Sequence, residues 1–92
     1  MTDSDTIYLE LMTLFREKLL PLNFQEGEGL GLGENVTFTR GQSKLSLGIE
    51  YRDQIYYFDT DNPNFHIHQF LPEGDKFKAE VIKKFEVWLA KQ

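Results

Sequence analysis

Residues 36–51 read VTFTRGQSKLSLGIEY, and their alternation decides the fold. Val36 and Phe38 alternate with Thr37 and Thr39; Leu45, Leu47, Ile49 and Tyr51 alternate with Lys44, Ser46, Gly48 and Glu50. A period of two places each apolar set on one side of a pleated strand. Between the two runs, RGQS at 40–43 reads as a hairpin turn. A two-residue loop at Gly41-Gln42 pairs Phe38 with Leu45.

The same reading extends toward the C-terminus. RDQI at 52–55 predicts a second hairpin whose two-residue loop, Asp53-Gln54, pairs Arg52 with Ile55 and Ile49 with Phe58. DNPN at 61–64 predicts a third turn, because Pro63 restricts its own φ and asparagine tolerates unusual backbone geometry. A four-residue loop at 62–65 pairs Asp61 with His66 and Asp59 with His68. These registers gather Val36, Phe38, Leu45, Leu47, Ile49, Tyr51, Tyr56, Phe58 and Ile67 on one face. A slip of one residue would turn a whole apolar set to solvent, so the agreement among strands supports the arrangement.

Both flanks are helical. Ser4 or Asp5 is a suitable N-cap for a helix that ends before Pro21. Ile7, Tyr8, Leu11, Met12, Phe15 and Leu19 share one broad face of it, opposite Glu10, Thr13 and Glu17. A second helix starts near Asp75, with Phe77, Val81, Ile82, Phe85, Trp88 and Leu89 on one face and Lys83, Glu86 and Lys91 away from it. Each helix needs an apolar surface to cover. The fold class expected is α+β: an N-terminal helix, a four-stranded antiparallel meander and a C-terminal helix, with both helices packed on one face of the sheet in two layers. All 92 residues are expected to form one domain.

Composition restricts the function. The chain has no cysteine, which removes disulfides, thiolate metal sites and thiol nucleophiles and fits a reducing compartment. MTDSDTIYLE at the N-terminus lacks the basic start and apolar run of a secretory signal, and no apolar stretch reaches the ~20 residues of a membrane helix. A cytoplasmic location without a membrane partner is expected. Net charge is −5, yet residues 76–92 hold Lys76, Lys78, Lys83, Lys84 and Lys91 against Glu80 and Glu86. The remainder is therefore strongly acidic. Such a body disfavours nucleic acid, whose affinity rests on neutralising phosphates with Lys and Arg.

EGEGLGLGE at 26–34 places glycine at every second position, Gly27 to Gly33. A phosphate-binding loop presents backbone N–H groups at the start of a helix. The segment that follows here reads as a strand, and Glu26, Glu28 and Glu34 would repel a phosphate. The glycines are read instead as an edge strand that admits another backbone, or as a loop.

Two functional readings follow from the outer sheet face. The first is a small acidic, non-enzymatic protein-interaction module with an inhibitor, immunity-type or adaptor role. Its interface comprises Glu50, Arg52, Ile55, Tyr57, Asp59 and Phe70, aromatic and apolar anchors among polar groups. Its partner is a basic protein, or a second copy of the chain in a homodimer, and no cofactor is expected. The alternative is a divalent-metal-binding protein or small hydrolase. His66 and His68 stand two apart on one side of a strand, and Asp59 and Asp61 lie opposite, in a donor set suited to zinc. DTDNPN also resembles the start of a calcium loop, but Pro63 and Asn64 occupy positions that a calcium loop cannot give them.

Overall fold

Two amphipathic helices cover one face of an antiparallel sheet in the computed structural model, which describes residues 4–28, 34–50, 54–70 and 73–92. Helix α1 spans Ser4–Leu19 and runs into a 3-10 turn at Leu20–Leu22, where Pro21 stands at the first positions. Strands β1 (Gln25–Gly27), β2 (Glu34–Arg40), β3 (Ser43–Glu50), β4 (Ile55–Thr60) and β5 (His66–Phe70) follow, and α2 spans Gly74–Ala90. The sheet order β1-β2-β3-β4-β5 is a meander, antiparallel throughout.

The sheet has five strands, one more than the alternation predicts. The additional strand, β1, pairs Gln25 with Thr39, Glu26 with Phe38 and Gly27 with Thr37. All three of its residues are exposed, so apolar alternation does not mark it. An ion pair secures it instead. Arg16 of α1 donates through Nε and Nη2 to the two carboxylate oxygens of Glu26, each at 2.6 Å. That pairing holds the Glu26 carboxyl below its ordinary range. Gly27 thus lies in an edge strand; Gly29, Gly31 and Gly33 lie outside the described residues.

The β2–β3 hairpin has the expected register. Phe38 faces Leu45 around the Gly41-Gln42 turn, where Gly41 takes φ +61°, a conformation open to glycine without a Cβ clash. The next two registers differ from expectation by two residues. Glu50, not Arg52, faces Ile55, and Ile49 faces Tyr56. Asp59, not Asp61, faces His66, and Tyr57 faces His68. The connections are longer than the shortest ones the turn signals allow. A slip of two preserves every side chain's face, so the division of the described residues between the two faces is unaffected; Tyr51 lies outside them.

The inner face forms the core. Val36, Phe38, Leu45, Leu47, Ile49, Tyr56 and Phe58 are buried with Ile7, Tyr8, Leu11, Phe15 and Leu19 of α1 and Phe77, Val81, Phe85 and Trp88 of α2, while Ile67 is partly buried. Phe15 is the hub, its ring 4.6 Å from that of Phe85, 6.0 Å from Phe58 and 6.3 Å from Phe38. Tyr56 stacks on Phe77 at 4.7 Å. Edge-to-face and offset contacts of this kind add to the transfer free energy of burying the rings. No helix is long and apolar enough to cross a membrane, among the described residues.

Candidate functional site

The inner face is filled by the helices; the outer face of the sheet carries the polar chemistry. Strand alternation aims Thr37, Thr39, Lys44, Ser46, Glu50, Ile55, Tyr57, Asp59, His66 and His68 away from the core, and each is exposed or half-buried. Thr37 and Ser46, facing each other across β2 and β3, share a hydroxyl–hydroxyl hydrogen bond of 3.1 Å.

Tyr57 is the largest of these side chains to be placed by a specific neighbour. It faces Gly48 across β3 and β4, and a Cβ added at Gly48 would lie 2.2 Å from Cζ of the Tyr57 ring and 2.4 Å from its hydroxyl. The ring therefore lies on the strand over the glycine, in space that every other residue would fill. Burial pushes the Tyr57 phenol above its ordinary pKa, and the carboxylates of Asp59 and Glu50 push it in the same direction. Beside the ring is a concavity of about 530 Å³ lined by Glu28, Thr37, Lys44, Ser46, Tyr57 and Asp59, among others. Gly48 within an alternating run is the sequence signal for this arrangement; Glu28 carries no such signal, because it follows β1.

Three of the four expected metal donors converge. Asp59 of β4 faces His66 of β5, and Asp59 Oδ1 meets His66 Nδ1. His68, two residues along the same side of β5, brings Nε2 to 3.7 Å from Asp59 Oδ2. The two imidazole rings are 4.4 Å apart.

Asp61 is elsewhere. Its backbone N–H continues the ladder to the Lys44 carbonyl, and Oδ1 accepts from the Lys44 N–H and from Trp88 Nε1, both at 3.1 Å. The two-residue register difference moves Asp61 past the end of β4, where it caps the sheet and anchors α2.

The expected interface residues separate similarly. Glu50, Ile55, Tyr57 and Asp59 share the outer face. Phe70 ends β5 opposite Ile55, and Arg52 lies outside the described residues. Among the described residues no charged side chain is buried, and the buried side chains that carry polar atoms are the aromatic ones of Tyr8, Tyr56 and Trp88. Comparison with protein-family models, with curated proteins and with solved structures gives no match.

Proposed function

We propose that the chain is a small acidic, non-enzymatic interaction module of the cytoplasm that receives a basic protein partner on the outer face of its sheet. The observation that supports this reading is Tyr57 lying on Gly48 at the edge of the concavity. An aromatic ring already held against a strand has little rotamer freedom left to lose on binding, which is what makes such residues efficient anchors. Around it, among the described residues, Glu28, Glu50 and Asp59 provide carboxylates beside the ammonium of Lys44. With a net charge of −5 behind them, they favour a cationic surface and accelerate its approach.

Enzymatic chemistry fits less well. Acid–base catalysis uses groups whose proton affinity is moved toward neutrality, whereas the phenols of Tyr8 and Tyr57 are pushed up from an already alkaline value and the Glu26 carboxyl is pushed down.

The test is native mass spectrometry of the chain isolated gently from its source cells, over a range of salt. The expected result is a bound protein with a basic surface whose occupancy falls as salt rises. A second copy of the chain in its place, or a partner whose occupancy is indifferent to salt, contradicts the charge-guided reading.

A further inference from the structure

Asp59, His66 and His68 are a more specific arrangement than an ordinary cross-strand ion pair. One imidazole is enough to pair with one carboxylate. Here a second imidazole on the same side of β5 is directed at the same carboxylate, and it uses the other oxygen. One ring nitrogen from each histidine and one Asp59 oxygen all lie within 4.8 Å of one another.

We propose that Asp59, His66 and His68 form a surface site for a single first-row divalent cation, and that zinc is the ion its donors suit best. Zinc–nitrogen bonds of ~2.0–2.1 Å in a tetrahedron place ligand atoms about 3.4 Å apart. His68 Nε2 and Asp59 Oδ2 are already near that spacing at 3.7 Å, and all three donors lie within 4.8 Å, so small side-chain rotations, which part Asp59 from His66, are enough to reach it. The side chains have room for it: Asp59, His66 and His68 are 40%, 51% and 49% exposed.

The backbone requires no change. Residues two apart on a strand share a side, and Asp59 is already across from His66. Two imidazoles and one carboxylate favour zinc and its neighbours over calcium or magnesium, which select oxygen donors. Three protein ligands leave a fourth position to water or to a donor from another molecule. Asp59 serves both this site and the partner reading, but neither His66 nor His68 belongs to that reading, and zinc binding is measured on the isolated chain with no partner present.

The experiment is calorimetric titration of the full chain, chelator-stripped and free of added histidines, with zinc chloride. One equivalent is expected to bind. Losing an outer-shell contact to a metal ligand already costs ~10–100-fold in affinity, so losing a ligand in His66→Ala, His68→Ala or Asp59→Asn should weaken binding by at least about tenfold. Glu50→Gln should bind as the parent does, and magnesium chloride in excess should not compete. Circular dichroism confirms that the variants are folded, as half-exposed positions permit. Absence of a one-equivalent event overturns the proposal. So does undiminished binding by the doubly substituted His66→Ala/His68→Ala chain or by Asp59→Asn.

Discussion

Tyr57 and Phe58 are consecutive residues of β4, both aromatic, with opposite roles. Phe58 is fully buried, its ring 6.0 Å from that of Phe15, within the layer where both helices meet the sheet. Tyr57 points the other way and lies on Gly48, beside carboxylates, hydroxyls and a pair of imidazoles. One residue along the chain separates the part of the protein that creates its stability from the part available to other molecules. The pleat causes this division. An aromatic residue contributes to folding or to recognition according to its parity on the strand, and not according to its hydrophobicity.

Truncation on the inner side should break the comparison most severely. Phe58→Ala removes a fully buried ring from the Phe15 cluster, and urea denaturation should show a loss of about 3–5 kcal/mol. A loss under 1 kcal/mol would mean that the strand phase is wrong.

A smaller effect is expected at the end of the sheet. Asp61→Ala deprives the Trp88 Nε1–H, in a buried indole, of its acceptor. Leaving such a donor unsatisfied costs about 1–3 kcal/mol. The same substitution should leave zinc binding intact, which separates Asp61 from the three donors on the outer face.

Tyr8 contributes a pH dependence on the inner side. Burial, reinforced by the Glu34 carboxylate, pushes its phenol from 10.0 up to about 12. A group whose folded pKa is raised binds its proton more tightly in the folded state. Its contribution is complete below pH 10 and is lost as pH rises through about 12. The urea midpoint should fall across that interval, and Tyr8→Phe should flatten the fall. An equal fall in the variant would assign the alkaline transition to other groups.

The sequence made the two faces legible, but not every register. Apolar alternation constrains parity, and parity is what a buried face selects. It does not penalise a slip of two, so the lengths of the second and third connections went unread. Gly41 settled the first hairpin because its φ of +61° is a local requirement that its residue type announces. Pro63 and the asparagines announced a turn correctly, yet left open how many residues it spans. Asp61 was assigned to the wrong neighbours for that reason. Strand β1 left only a partial trace: the alternating glycines that begin at Gly27 admitted an edge strand or a loop, while its three exposed residues carry no apolar alternation and join the sheet through backbone pairing and the Arg16–Glu26 ion pair. Of the outer-face cluster, the histidine spacing and the outward side of Asp59 were visible, since both follow from parity; that Asp59 faces His66 and not His68 was not, because it follows from register. The seat of Tyr57 was not, because it needs the pairing of Gly48 with Tyr57 and hence the true register.

The smallest effect on stability carries the largest functional consequence. Tyr57→Ala removes a cross-strand contact worth about 0.2–1 kcal/mol and should leave the fold intact. The most direct test of the account is native mass spectrometry of this variant beside the parent chain, both expressed in the source cells and isolated under the same low-salt conditions. The account predicts a folded Tyr57→Ala chain stripped of the basic partner that the parent retains. A folded variant that keeps the partner at parental occupancy would contradict it, and would place recognition away from the outer face of the sheet.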